Sequence, residues 1–203
     1  MNQKLYRKTI LCASMAMLLS LFVTVQVAAK KEAMVEELSR EVFRFHVLAN
    51  SDSPSDQALK MSVKEAVISY MKESLGESRD VEDTKEWARG HLAEIEEEAR
   101  KTMQGQGYGY SVKAKVTTCE FPEKVYGDII FPAGTYEALR VEIGQAEGQN
   151  WWCVLYPNLC FVDSMRAVVP KESKEELQSV LEEDTYDMIT RAPKFRIRWF
   201  FFS

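Results

Sequence analysis

A β-prone run from Val42 to Ala49 stops at Asn50 and is followed within four residues by a strong helix start. No other stretch restricts the fold as much, because it predicts a strand, a tight corner and a helix in immediate succession. Arg44 and His46 take alternate positions among apolar neighbours, the pattern of a half-buried strand. Asn50-Ser-Asp-Ser-Pro54 carries turn chemistry. Ser53 is placed to cap the helix, Pro54 suits its first position, and Asp56 completes a Ser-x-x-Asp capping box. The carboxylate also suits the positive end of the helix dipole. Leu59, Val63, Val67 and Tyr70, with Ala66 beside them, share one face, so a helix is predicted over about 54–75. The corner is crowded with His46, Asn50, Ser51, Asp52 and Ser53, and such corners are where α/β structures present functional groups.

The first residues decide the compartment. Lys4, Arg7 and Lys8 precede an apolar run from Ile10 to Val25, and Val27-Ala28-Ala29 supplies small residues before Lys30. This is the layout of a secretory signal peptide over 1–29. An uncleaved anchor is the second reading, since the 21 residues from Thr9 to Ala29 are long enough to cross a bilayer. Either way the basic terminus stays inside and the remainder is exported. Losing residues 1–29 takes three positive charges from a chain of net charge −5, leaving the exported part near −8. That acidity, without a long basic stripe, argues against nucleic acid as a partner. Cys119, Cys153 and Cys160 lie in the exported part. Cys153 and Cys160 can bridge a six-residue loop in an oxidising compartment, and equally all three can be small buried hydrophobes.

Residues 30–41 read as a polar-amphipathic lead-in. After the first strand and helix, a second helix is predicted from Val81 to about Met103, capped by Asp80, with Trp87, Leu92, Ile95, Ala99 and Met103 inward. Glu94 and Glu96 to Glu98 form its solvated face. Gly105, Gly107 and Gly109 follow that helix instead of preceding one, so they mark a turn and not a phosphate loop. Alternation then begins at Tyr108 and runs to Thr118, and further strands are predicted over Val125–Phe131, Thr135–Ile143 and Trp151–Tyr156. Leu139, Val141 and Ile143 oppose Arg140 and Glu142, and the 144–148 segment suits a hairpin, so the middle of the chain reads as an antiparallel meander. A second capping box at Ser173–Glu176 opens a helix reaching Ile189, and Lys194–Phe201 ends the chain as a strand. The order β-α-α-β-β-β-β-α-β describes one α+β domain over 42–203: a mainly antiparallel sheet of about five strands packed with three helices.

Two segments are distinctive together: Arg44-Phe-His-Val-Leu-Ala-Asn-Ser-Asp52 and Trp151-Trp-Cys-Val-Leu-Tyr-Pro-Asn-Leu-Cys160, with Gly134-Thr-Tyr136 between them. In these the chain resembles the stage II sporulation protein R family of endospore-forming bacteria, over nearly the whole exported domain. The resemblance implies a signalling protein made in the forespore and exported into the space between two membranes. There it would activate a membrane-embedded aspartic-type protease of the mother cell, which cleaves the precursor of sigma factor E. Members of the family often continue past the last strand, whereas this chain stops at Ser203.

The candidate partner-binding residues are Arg44, His46, Asn50, Asp52, Trp151, Trp152 and Asp163. Against catalysis, His46 and Asn50 share a strand face but stand about 13 Å apart by strand rise. Asn50 and Asp52 are better read as bonding backbone in the turn. His46, His91, Cys153 and Cys160 lack the spacing of a zinc site. Trp151 and Trp152 cannot both enter the core of a regular strand, so one is free to anchor an interface. No cofactor, metal or small-molecule substrate is expected, and no enzyme activity. Membrane contact is expected only through the signal peptide or anchor. An exported hydrolase built on the His46–Asp52 turn with the Cys153–Cys160 region, or a wall-binding module using the tryptophans, are the alternatives.

Overall fold

In the computed structural model the described residues are 3–76, 80–157 and 169–190. They divide into two compact units, residues 1–36 and 37–203. Helix α1, Gln3–Glu41, carries in its first part a segment long and apolar enough to span a bilayer, compatible with a signal or an anchor. Its last turn belongs to the second unit: Leu38 is buried, and Glu37 accepts hydrogen bonds from the Glu182 amide at 2.6 Å and from the Thr185 hydroxyl.

The second unit is the expected α+β domain. Its described elements are β1 (Phe43–Leu48), α2 (Pro54–Ser74), α3 (Val81–Gly90), α4 (Leu92–Gly105) and β2 (Val112–Phe121). There follow β3 (Lys124–Tyr126), β4 (Ile129–Phe131), β5 (Gly134–Ile143), β6 (Asn150–Tyr156), α5 (Lys171–Val180) and α6 (Glu183–Thr190). Four strands make one sheet in the order β2-β5-β1-β6, and β3 and β4 form a separate hairpin. The predicted final strand, Lys194–Phe201, lies outside the described residues.

The meander does not form as predicted. β2 and β5 pair antiparallel, but β6 does not pair with β5; β1 lies between them, parallel to β5 and antiparallel to β6. The reason is that β1 is buried along its whole length instead of half-buried. A strand enclosed on both faces satisfies its backbone groups by taking a neighbour on each edge. The 144–149 segment is therefore a bridge over the end of β1. The expected Val125–Phe131 strand folds back on itself about Gly127, whose φ of 57° is one that glycine adopts without a Cβ penalty. The predicted 81–103 helix breaks at Gly90–His91, and the 173–189 helix breaks at Leu181, whose backbone is extended. Ser173 sits within the first turn of α5 and Pro170 takes its N-cap, so the second capping box is not the helix start.

One face of the sheet packs on helices. Phe43, Phe45 and Val47 of β1 join Leu139, Val141 and Ile143 of β5, and against them lie Leu59, Val63, Val67 and Met71 of α2 and Ile95, Ala99 and Met103 of α4. Each such side chain contributes roughly 1.5–3 kcal/mol when fully buried. The opposite face carries the alternate residues of every strand and is the polar side of the sheet.

Candidate functional site

Alternation along four strands gathers one set of side chains on the face away from α2 and α4. Arg44 and His46 of β1 are flanked in register by Ala138 and Arg140 of β5 and by Val154 and Trp152 of β6. Lys113, Lys115, Cys119 and Phe121 of β2 complete the row.

At one end, Arg44 is fully enclosed, with a relative exposure of 0%. Its Nε donates to the Cys153 carbonyl at 3.0 Å and one terminal nitrogen to the Tyr126 hydroxyl at 3.2 Å. Its Cζ stands 4.3 Å from the ring centre of Phe121, 4.9 Å from Tyr136 and 5.1 Å from Phe131. No carboxylate pairs with it among the described residues, and its Nη1 has no hydrogen-bond partner. The aromatic quadrupoles carry the compensation for this buried cation. The β3–β4 hairpin supplies the Phe131 ring and the Tyr126 hydroxyl, which is why it closes over this end.

In the middle, His46 stacks on Trp152 and also meets Phe121, with centroids 5.8 Å apart. Burial pushes the His46 pKa down to about 4 from an ordinary 6.5. Its Nδ1 lies 4.0 Å from the Cys119 sulfur, while its buried Nε2 makes no hydrogen bond of good geometry. A cysteine beside a histidine is the raw material of nucleophilic catalysis, which needs a thiolate and an imidazolium. Here burial raises the thiol pKa and lowers the imidazole pKa, so both groups stay neutral. At the far end Glu142 is shared by Lys115 at 2.9 Å and Arg140 at 2.7 Å.

The corner after β1 has a different role. Asn50 donates to Asp56 at 2.8 Å and accepts the Gln145 amide at 3.0 Å. Asp52 accepts the Gln149 amide at 2.6 Å, and Ser53 caps α2 by accepting the Asp56 amide at 3.1 Å. Ser51, Asn50 and Tyr110 donate to the Asp56 carboxylate and hold it below the usual carboxylate range. Asn50 and Asp52 thus bolt the 144–149 bridge to the start of α2; the amides they accept lie 95 and 97 residues away instead of in the turn itself. Gly144 and Gly148 are needed there: an added Cβ would come 2.2 Å from the Asn50 side chain and 2.2 Å from the Ser51 carbonyl respectively.

The predicted residues therefore separate. Arg44, His46 and Trp152 come together on the polar face. Trp151 points to the helix side, where it meets Phe45 edge-on and the Lys64 ammonium lies 4.9 Å from its ring centre. Cys153 is a free, buried thiol on that same helix side, so it cannot converge with His46; Cys160 and Asp163 lie outside the described residues. Sequence reasoning missed Cys119, Phe121, Tyr126, Tyr136 and Lys115. The alternation predicted from Tyr108 to Thr118 puts Lys115 opposite the apolar residues of β2, but it stops short of Cys119 and Phe121, and nothing local said that β1 would lie two strands away from β2 in the same sheet. Among the described residues no group of three or more His, Cys, Asp or Glu side chains could hold a metal ion.

The family model for stage II sporulation protein R matches residues 39–166. That span holds the polar face, the aromatic cage and the corner. The stage II sporulation protein R of Bacillus subtilis strain 168 is 34% identical over 171 residues, covering 83% of this chain and 76% of that protein. No solved structure matches.

Proposed function

The chain belongs to the stage II sporulation protein R family, and from that premise we propose that this sporulation protein is an exported signal that switches on a membrane-embedded aspartic-type protease of the mother cell. The protease then processes the precursor of sigma factor E. The exported domain acts from the space between the forespore and mother-cell membranes and performs no chemistry of its own. The observation that carries this reading is the likeness to the Bacillus subtilis protein along 83% of the chain. Two features support it. The apolar part of α1 suits export. The polar sheet face leaves Trp152 and Arg140 partly exposed, residue types that anchor interfaces.

Activation by binding requires that the ligand favour the active state of the receptor over the inactive one. A preformed surface serves that role well, since little ordering entropy is lost on binding. The neutral His46 and Cys119 support a binding role for this face over the hydrolase alternative.

The test is reconstitution in a non-sporulating host expressing the protease and the sigma-factor precursor. Processing is expected only when this protein is present. Equal processing with and without it would sink the reading.

A further inference from the structure

The sheet has two edges, and among the described residues one of them is bare. β2 pairs only with β5 there. The Gly144 amide donates to the Ser111 carbonyl at 2.8 Å, which fixes the phase of the ladder. Odd-numbered residues of β2 turn their backbone groups toward β5, and Val112, Ala114, Val116, Thr118 and Glu120 turn theirs outward. A side chain closes this edge at Ala114, whose amide donates to Glu96 at 2.8 Å. Beyond it Val116 is half-buried, and Thr118 and Glu120 are exposed. The other edge strand, β6, is treated differently. Arg44 donates to its Cys153 carbonyl at 3.0 Å and Tyr126 to its Trp152 carbonyl at 3.2 Å. Lys60 of α2 donates to the Gln149 carbonyl just before it at 2.9 Å. A row of outward amides and carbonyls is a template for an extended chain.

The protein carries such a segment close by. Helix α6 ends at Thr190 with Ile189 buried, and it packs on β4. β4 leads into β5, whose Gly134 pairs with Phe121, and the partner of β4, β3, starts three residues after Phe121. The last helix therefore delivers the chain to the Phe121 end of β2. In the residues that follow, outside the described ones, Lys194-Phe-Arg-Ile-Arg-Trp199 alternates cation with apolar side chain. A strand running back from the Phe121 end is antiparallel to β2. Charge selects its face. On the helix side the β2 edge carries Glu120 and Glu96, with Glu137 behind them already engaged by Lys85 and Arg89. On the other side it carries Lys113 and Lys115, the latter paired with Glu142. Lys194, Arg196 and Arg198 fit the helix side and are repelled from the other.

We propose that Lys194–Trp199 of this same chain adds to the bare edge of β2 as a fifth, antiparallel strand of the four-stranded sheet. Lys194 stands opposite Glu120, Arg196 opposite Thr118 and Arg198 opposite Val116. Phe195 then faces Cys119, and Ile197 faces Thr117, on the side away from the helices. The ladder stops before Ala114 because Glu96 already holds that amide. With the edge covered, β2 is withdrawn from pairing with a second copy or with another protein.

In this register Phe195 and Cys119 form a non-hydrogen-bonded pair with Cα atoms about 4.5 Å apart, within reach of a disulfide. The test uses the full chain in detergent micelles, with Cys12→Ser and Cys160→Ser and with copper phenanthroline as oxidant. Phe195→Cys is expected to bond to Cys119 within one chain, as read by peptide mass. Arg196→Cys, on the opposite side of the strand, is expected to do so roughly tenfold more slowly. Hydrogen exchange supplies a second readout. Arg196→Pro removes the amide that faces Thr118, and it is expected to speed exchange at Val116, Thr118 and Glu120 roughly tenfold while Phe45 and Val141 keep their rates. Equal cross-linking at 195 and 196, or bonds formed only between two chains, overturns the proposal. So do edge amides that exchange as freely in the wild type as in Arg196→Pro.

Discussion

The imidazole of His46 lies flat against the indole of Trp152, with ring centroids 3.7 Å apart and planes 18° from parallel. These are register partners across β1 and β6, so the stack is set by strand pairing and not by the turn that follows. Burial there keeps the histidine neutral, because charging it would strip a cation of water, beside Arg140.

This contact makes stability acid-sensitive. The unfolded chain accepts a proton near pH 6.5 that the folded chain refuses until about pH 4. Stability is therefore full above pH 6.5, falls as pH drops through that window, and reaches its loss below pH 4, by up to about 3 kcal/mol. Urea midpoints measured across this range are expected to fall for the wild type and to fall less steeply for His46→Phe. Parallel curves would show that His46 titrates normally.

Arg44 distinguishes cation type. A guanidinium is flat, weakly hydrated and able to lie against several rings at once, whereas an ammonium is none of these. Arg44→Lys is expected to destabilise by about 2–4 kcal/mol, more than Arg44→Met, which removes the buried charge altogether. Thermal or urea unfolding of both variants decides it; a lysine variant more stable than the methionine one would contradict the aromatic-cage account.

The 144–149 bridge tolerates no side chain at its contacts. Gly148→Ala drives a methyl into the Ser51 backbone, which cannot rotate away, and is expected to cost about 2–4 kcal/mol. Gly76→Ala, at φ 66° in open space, should cost only about 1 kcal/mol. Similar unfolding midpoints for the two variants would mean that the bridge yields.

Glu37 ties the end of α1 to the start of α6. Glu37→Ala is expected to lower stability by about 1 kcal/mol, the usual worth of a lost cap. Hydrogen exchange should show faster amides in 183–190 with β1 unaffected; a uniform change across the domain would indicate a global role instead.

Much of the local structure is legible residue by residue. Ser53, Pro54 and Asp56 define the start of α2, Asp80 that of α3, and the alternation of 135–143 correctly puts Arg140 and Glu142 opposite Leu139 and Val141. These are short-range effects, in which a side chain answers its own backbone or the next turn. The candidate site was legible only in part. His46 and Trp152 stand out as unusual residues, but their partners Cys119 and Phe121 are ordinary members of a strand far along the chain.

The sequence by itself determined the apolar N-terminal segment, the capped corner, the family and the inward face of each helix, because composition, period and cap chemistry are properties of neighbours. Only the tertiary structure decided that β1 runs through the middle of the sheet, parallel to β5, and that its two polar side chains are consequently buried. Strand order depends on which edges find partners once the helices have packed, a sum over distant contacts that no local pattern encodes. That one placement turned Arg44 and His46 from half-exposed strand residues into the core of a polar face, and assigned Asn50 and Asp52 to holding it in shape.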